Sequence, residues 1–123
     1  MKILIAEADV KIVSQIEDYL VPLGHVVYPP VATGEDLMEQ VKLFNPSLII
    51  TDFNLDGQLD GVEAIARLEG IYNIPYIFIT AFDDLSSLIS SYYLNPAAVI
   101  KKSVDHAGLH KCMNKVQLNL ELV

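Results

Sequence analysis

Five short apolar runs rich in β-branched residues recur along the chain, and longer stretches with helical periodicity separate them. The runs predict strands at residues 2–6, 25–28, 47–51, 76–80 and 97–101. Strands that alternate with helices in this way are typical of βα units, in which helices cover both faces of a parallel sheet. Because the connections in such units are right-handed, few topologies remain. The sequence therefore predicts an α/β fold with five parallel strands.

The stretches between the strands carry apolar positions with the spacing of one helix face. The first two stripes are Ile12, Val13, Ile16, Tyr19, Leu20 and Leu23, closed by Gly24, and Leu37, Met38, Val41 and Phe44. A third helix is predicted to start near Gly61 with Asp60 as its cap, and a fourth to be capped by Asp83 or Asp84. Their apolar positions are Val62, Ile65, Ala66 and Leu68, and Leu85, Leu88, Ile89 and Tyr92. The last helix starts at about Asp105 and carries Leu109, Cys112, Met113, Val116 and Leu120.

The composition fits one compact cytoplasmic domain. The chain has 123 residues, 52% of them hydrophobic, which is enough for a core but leaves no room for a second domain. Its formal charge is -8 and it has no basic cluster beyond Lys101-Lys102, so neither nucleic acid nor a membrane is predicted as a partner. A single cysteine cannot form an internal disulfide, the early acidic residue does not fit a signal peptide, and no apolar run approaches the roughly 20 residues that span a bilayer.

Polar side chains stand where four of the predicted strands end. The first strand is followed by Glu7 and Asp9, the third ends in Asp52, the fourth in Thr80 and the fifth in Lys102. The carboxyl ends of parallel strands meet at one edge of the sheet, and α/β proteins bind ligands there. We therefore expect these side chains to converge on one acidic pocket.

The order and spacing of four motifs resemble the receiver domain of two-component response regulators, across essentially the whole chain. The motifs are Lys2-Ile-Leu-Ile-Ala-Glu7, Thr51-Asp52-Phe-Asn54-Leu, Ile79-Thr80-Ala81 and Ile100-Lys101-Lys102. The resemblance implies a doubly wound sheet with strand order 2-1-3-4-5 and one receiver domain over residues 1–123. It also implies a phosphorelay protein, not a dedicated enzyme, in which an aspartyl phosphate switches protein–protein interactions.

The resemblance assigns a role to each residue of the pocket. Asp52 would be the phosphoacceptor and a ligand of Mg²⁺, the Asn54 carbonyl a second ligand, and Glu7 an acid that holds metal-bound water. Lys102 would pair with one phosphoryl oxygen, and the Thr80 hydroxyl would hydrogen-bond to another. Magnesium suits this chemistry because it binds oxygen ligands and neutralises the charge that gathers during phosphoryl transfer.

The partners that the resemblance implies are proteins. A sensor histidine kinase or a histidine phosphotransfer protein would supply the phosphoryl group, and a downstream protein would receive the signal. A homodimer would form through the face of the fourth helix, fifth strand and last helix, where Tyr92, Tyr93, Lys111 and Lys115 lie.

The chain departs from the receiver pattern at the metal site. Most receivers have two adjacent acids after the first strand, but here the second position is Ala8 and the next acid is Asp9. Loss of a direct carboxylate ligand predicts weak magnesium binding, and the longer Glu7 side chain would reach the ion itself. We interpret Asp9 as the N-cap of the first helix rather than as a ligand.

Further departures concern switching. Val99 stands where the family usually has a Tyr or Phe that couples to the threonine, and Ser103 stands where a proline is usual, which leaves the orientation of Lys102 open. The loop after Asp52 is one residue longer than the commonest form. Phe82 is expected to line the path of a hydrolytic water.

Two other functions compete with the phosphoacceptor. In a pseudo-receiver, the same fold is a phosphorylation-independent protein-binding module, and Ala8, Val99 and Ser103 would mark its relaxed chemistry. A phosphatase resembling the haloacid dehalogenases also uses an aspartate nucleophile and magnesium, but it expects a second acid where Asn54 stands. His106 and His110 have the i, i+4 spacing of metal ligands, yet the sequence offers no third ligand besides Cys112, which belongs to the apolar stripe.

Overall fold

The computed structural model describes residues 1–81, 86, 89 and 92–121. Its strands are β1 (Lys2–Ala6), β2 (Val26–Val27), β3 (Leu48–Asp52), β4 (Tyr76–Thr80) and β5 (Ala98–Lys101). Its helices are α1 (Val10–Leu20), α2 (Gly34–Phe44), α3 (Gly61–Glu69) and the C-terminal helix (His106–Glu121), and a 3-10 turn (Val21–Leu23) follows α1. No helix among the described residues is both long and apolar enough to cross a bilayer.

The five strands form one parallel sheet in the order β2-β1-β3-β4-β5, which confirms the predicted fold class. Strands β1 and β3 are neighbours although β2 lies between them in the sequence, so the strand order reverses at β1. Ligands bind at such switch points in open α/β sheets. The register aligns Ala6 with Thr51 and Asp52 with Ile79, which brings the carboxyl ends of β1, β3 and β4 to one level.

Alternate side chains of the central strands point to opposite faces and fill two separate cores. Ile3 and Ile5 of β1 pack under α1 and the C-terminal helix, whereas Leu4 and Ala6 pack under α2 and α3. Because both faces are covered, every residue of β3 and β4 is buried and neither strand shows polar alternation. Each fully buried leucine or isoleucine contributes about 1.5–3 kcal/mol, so this double burial holds the strand ends in place.

Side-chain caps fix where the helices begin. The carboxylate of Asp9 accepts a hydrogen bond from the Lys11 N–H at 2.9 Å, and that of Asp60 accepts one from the Glu63 N–H at 3.0 Å. Asp105 is the residue before the C-terminal helix, and its carboxylate accepts a hydrogen bond from the Gly108 N–H at 2.7 Å. Such a cap satisfies a backbone donor that the helix itself leaves unpaired.

In the first two helix stripes, two apolar residues are exposed. Pro22 lacks the N–H that would continue α1, so the helix ends at Leu20 and Leu23 leaves the stripe, with 60% of its surface exposed. Phe44 is 41% exposed and stacks on Tyr28, with the ring centroids 4.4 Å apart.

The predicted fourth helix falls mainly on residues outside the described part of the chain. Ser86 and Ile89 are helical and Tyr92 lies in a turn. Phe82, with its expected place beside a hydrolytic water, also lies outside the described residues.

Candidate functional site

Three charged side chains from three strand ends meet at the carboxyl edge of the sheet. The ammonium nitrogen of Lys102 lies 2.8 Å from Asp52 Oδ2 and 3.1 Å from Glu7 Oε1. Glu7 is 4% exposed and Asp52 is 8% exposed, so two buried carboxylates share one cation. The structure thus brings together three of the side chains that the sequence predicts for one pocket.

Backbone hydrogen bonds fix the strand ends that carry these residues. The Lys102 N–H donates to the Thr80 carbonyl at 2.7 Å, and the Glu7 N–H donates to the Val31 carbonyl at 2.8 Å. Directly after Asp52, the Phe53 N–H donates to the Ile79 carbonyl at 2.8 Å. The pocket is therefore built on the ends of the sheet and not on loose loops.

Lys102 reaches the pocket although serine follows it. The peptide bond between Lys102 and Ser103 is cis, and the Lys102 ammonium lies between the two carboxylates. The sequence left the orientation of Lys102 open because Ser103 follows it; in the structure the Lys102 side chain points into the acidic pocket.

Burial and crowding of charge change the acidity of this cluster. Burial is the main reason that the pKa of Glu7 rises to about 7, and the hydrogen bond and negative charge of Asp52 raise it further. Lys102 opposes this rise. For Lys102 itself, burial lowers the pKa, but its contacts with Asp52 and Glu7 outweigh burial and the pKa is raised overall.

Glu7 keeps one buried oxygen that no hydrogen bond satisfies. Its Oε2 accepts the Ala8 N–H at 3.2 Å, whereas its Oε1 has the ion pair with Lys102 but no hydrogen bond of suitable geometry. Buried polar atoms without such a bond are rare in native proteins. An oxygen of this kind, next to a second carboxylate, suits a hard cation such as Mg²⁺.

The residues that follow Glu7 add no carboxylate to the pocket. Ala8 has no ligand atom in its side chain, and the Asp9 carboxylate is exposed and caps α1. Within the described part of the chain, no group of three or more His, Cys, Asp and Glu residues is placed to hold a metal ion. Glu7, Asp52 and a backbone carbonyl still offer the oxygen atoms that magnesium prefers, with one acid fewer than the receiver pattern provides.

The other two predicted site residues also lie at this edge. The Asn54 N–H donates to Asp52 Oδ1 at 3.2 Å, which sets the start of the loop beside the carboxylate. Thr80 ends β4, is buried, and offers its carbonyl to Lys102. On the neighbouring strand Val99 is 42% exposed, so an aliphatic side chain occupies the position where receivers usually have an aromatic ring.

One contact near the pocket was not predicted from the sequence. The Glu35 carboxylate, in the first turn of α2, accepts a hydrogen bond from the Leu59 N–H at 2.5 Å. Leu59 belongs to the loop that leaves Asp52. The sequence around Thr33 indicates only a helix start, because Thr33 caps α2 and acids are common in a first turn.

The two histidines of the C-terminal helix, His106 and His110, contact neighbouring side chains. His110 Nδ1 lies 3.2 Å from the Tyr19 hydroxyl, and its Nε2 lies 3.3 Å from the Asn114 amide nitrogen. The ring of His106 packs edge-on against Tyr19, with the centroids 5.3 Å apart. The two contacts with Tyr19 join the C-terminal helix to α1.

Comparison with known proteins decides the family. The sequence model of the response regulator receiver domain matches residues 3–114. The chain belongs to the response regulator receiver domain family. This receiver has no significant match among curated proteins.

Several solved structures are similar to this receiver. The signal receiver domain of a modulated diguanylate cyclase from Desulfovibrio desulfuricans has a TM-score of 0.82 and 30% identity, covering 98% of this chain and 97% of that one. The N-terminal domain of a three-domain response regulator/sensory box/GGDEF protein from Carboxydothermus hydrogenoformans has a TM-score of 0.85 and 25% identity, covering 98% of each chain. The beryllium-fluoride-activated receiver domain of Klebsiella pneumoniae RstA, at 24% identity and a TM-score of 0.80, covers 93% of this chain and 96% of its own and shares the fold.

Membership places the receiver in two-component signalling. Receiver domains are generally non-enzymatic signalling modules that interact with histidine kinases or phosphotransfer proteins and with downstream targets. They typically bind Mg²⁺ at the phosphorylation site.

Proposed function

We propose that residues 1–123 form one cytoplasmic receiver domain that accepts a phosphoryl group on Asp52 and thereby switches its interactions with other proteins. The observation that carries this proposal is the position of the Lys102 ammonium between the buried carboxylates of Asp52 and Glu7, 2.8 Å and 3.1 Å away. A cation fixed at this edge is poised for the negative charge that a phosphoryl group brings.

The chemical step is a phosphoryl transfer. An oxygen of Asp52 forms a bond to phosphorus while the bond from phosphorus to the histidine nitrogen of the donor breaks. The imidazole keeps that electron pair and takes a proton from solvent. Asp52 is 8% exposed, so its carboxylate is sheltered but keeps a small surface that such a donor would approach.

Magnesium supplies charge neutralisation for the transfer when it is bound. Asp52 and the Asn54 carbonyl would be its protein ligands, and Glu7 would hold its water or reach it directly. The Lys102 ammonium contacts both Glu7 and Asp52, so a magnesium ion would compete with an existing ion pair. Together with Ala8, this competition makes the proposed magnesium site weak.

Lys102 and Thr80 would respond to the negative charge of the phosphoryl group on Asp52. Lys102 turns from the carboxylates to a phosphoryl oxygen, and the Thr80 hydroxyl hydrogen-bonds to another. These contacts exist in one state only, and a ligand or modification shifts an equilibrium by such differential contacts. The protein donor is a sensor histidine kinase or a histidine phosphotransfer protein, and the output is a downstream protein or a second copy bound through the face that includes β5 and the C-terminal helix.

One observation favours the pseudo-receiver as the second candidate. The Lys102 ammonium contacts both Glu7 and Asp52, and Ala8 adds no ligand. A protein-binding module of this kind would keep the receiver fold without any response to phosphoryl chemistry.

Titration of the protein with magnesium, with and without beryllofluoride, separates the two candidates. Backbone amide NMR shifts report on Asp52, Thr80 and Lys102 directly. If Asp52 is the phosphoacceptor, magnesium should cause saturable shifts at these residues, and beryllofluoride should enlarge them. Asp52→Ala should abolish the shifts, and Asp36→Ala, at an exposed position, should leave them intact. Flat titrations with beryllofluoride present would contradict the phosphoacceptor and favour the module.

A further inference from the structure

The loop that leaves the phosphoacceptor is attached to the first turn of α2. We call residues 53–60, between β3 and α3, the site loop. The Leu59 N–H of this loop donates to Glu35 Oε1 at 2.5 Å, and the Leu59 carbonyl accepts the Gly34 N–H at 3.1 Å. Thr33 and Asp56 add an isolated parallel bridge. Three successive residues, the cap Thr33 and the first two residues of α2, Gly34 and Glu35, therefore contact the site loop.

Two glycines allow this approach. A Cβ atom on Gly34 would overlap the Leu59 carbonyl oxygen. Gly57 has φ +94°, and a Cβ atom there would overlap the Glu35 carboxylate. Backbone therefore lies against backbone and carboxylate as closely as atoms permit, which only glycine accommodates at both positions.

On the α2 side, the acceptor of the Leu59 N–H is the carboxylate of Glu35. The hydrogen bond from the Leu59 backbone is the main reason that the pKa of Glu35 lies below its usual value; burial opposes it, and the Glu35 and Gln58 backbones lower the pKa further. Hydrogen bonds to an ionised acceptor are stronger than those between neutral groups. Glu35 is thus charged at neutral pH, and its carboxylate is hydrogen-bonded to the site loop.

Both ends of the site loop touch the phosphoacceptor. At its start, the Asn54 N–H donates to Asp52 Oδ1 at 3.2 Å. At its end, Gly61 follows the loop and lies against the Asp52 carbonyl so closely that a Cβ atom would overlap it. Leu59, which α2 holds, lies between these two contacts with Asp52.

We propose that Glu35 is a positioning residue for the phosphoacceptor site. By holding Leu59 it keeps the site loop in place, and so it keeps the Asn54 backbone beside Asp52. The inference rests on the proposed function, because Asn54 is a proposed magnesium ligand. Glu35 itself contacts neither the ion nor the phosphoryl group.

Three variants test this role. Glu35→Ala removes the acceptor, Glu35→Gln keeps an acceptor oxygen without the charge, and Asp36→Ala removes a neighbouring first-turn acid whose side chain has no hydrogen bond or ion pair with the described residues. Amide hydrogen exchange at Leu59 and Asn54 is measured in chelator, and the magnesium affinity is measured by NMR shifts with beryllofluoride present. Because Glu35 and Asp36 lie in the same helix turn, the control removes the same charge from the same helix end.

We expect Glu35→Ala to speed amide exchange at both Leu59 and Asn54, and to weaken magnesium binding about threefold to tenfold, the size of one hydrogen bond. Glu35→Gln should recover most of the affinity, and Asp36→Ala should stay within about twofold of the parent protein. Faster exchange at Leu59 alone, with unchanged Asn54 exchange and magnesium affinity, would overturn the positioning role. Equal effects of Glu35→Ala and Asp36→Ala would overturn it too.

Failure of the proposed function gives a different result. If the parent protein shows no response to magnesium and beryllofluoride, the phosphoacceptor is contradicted. The Asn54 amide then still decides the inference, because its hydrogen bond to Asp52 needs no metal: faster Asn54 exchange in Glu35→Ala supports the hold on the loop, and unchanged exchange refutes it.

Discussion

The ammonium of Lys102 lies 2.8 Å from a carboxylate oxygen of Asp52, although 50 positions separate the two residues in the sequence. The parallel sheet creates this contact, because β3 and β5 end at the same edge with β4 between them. Glu7, from the end of β1, completes an ion cluster in which two acids share one base.

Removal of Lys102 should destabilise the protein. In Lys102→Met the buried Glu7 and Asp52 carboxylates lose their cation, and an uncompensated buried charge costs about 1–3 kcal/mol in a site that is partly open to water. Urea unfolding at pH 8 measures the loss. The exposed Lys111→Met is the control and should change the unfolding free energy by less than about 0.5 kcal/mol. Equal stability of the two variants would mean that the ion cluster contributes nothing.

The stability of the metal-free protein should depend on pH through Glu7. Because its pKa is about 7 in the folded protein, against an ordinary value of 4.5, the folded state binds more protons between these pH values. The unfolding free energy should therefore fall as the pH rises from 4.5 to 7, by at most about 3 kcal/mol, since each pKa unit corresponds to about 1.4 kcal/mol. Glu7→Gln should flatten this slope and exposed Glu39→Gln should not. A slope that survives Glu7→Gln would assign it to another group.

Restoring the missing acid should strengthen magnesium binding. Ala8→Asp adds a carboxylate next to Glu7, and we expect the dissociation constant to fall about tenfold. In chelator the same variant should be less stable than the parent, because a third acid joins two that share one lysine. Calorimetric titration and urea unfolding measure the two effects. The exposed Ala107→Asp changes the net charge equally and should alter neither; matching affinities in the two variants would rule out a direct ligand at position 8.

Asp9 should act on α1 and not on the metal. Its carboxylate accepts the Lys11 N–H at 2.9 Å, so Asp9→Ala should cost about 1 kcal/mol of stability. Asp9→Asn keeps a capping oxygen and should stay close to the parent protein. Both variants should keep the parent magnesium affinity. A clear loss of affinity in Asp9→Asn, which removes only the charge, would show that the carboxylate reaches the ion.

The fold was predictable because its determinants are local and repeated. Apolar runs such as those ending at Ala6 and Asp52 predict buried strands, and the structure confirms the parallel sheet and its strand order. Boundaries were less predictable. The second strand shrinks to Val26–Val27, and Leu23 leaves the first helix because Pro22 ends it.

The site was predictable only in part, for a physical reason. Parallel strands deliver their end residues to one edge, so the convergence of Glu7, Asp52 and Lys102 followed from their positions in the sequence. The attachment of Glu35 to Leu59 did not, because it depends on the path of an irregular loop that no periodicity describes. Nor does the sequence reveal that burial, with the Asp52 carboxylate close by, would raise the pKa of Glu7 to about 7.

Mass spectrometry after incubation with acetyl phosphate and magnesium tests phosphoryl acceptance most directly. The intact protein should gain about 80 Da, the mass of one phosphoryl group, and hydroxylamine should remove it, as expected of an acyl phosphate. Peptide mapping should place the adduct on Asp52, Asp52→Asn should abolish it, and Asp56→Asn in the neighbouring loop should keep it. An unmodified parent protein, or an adduct that persists in Asp52→Asn, would contradict Asp52 as the phosphoacceptor.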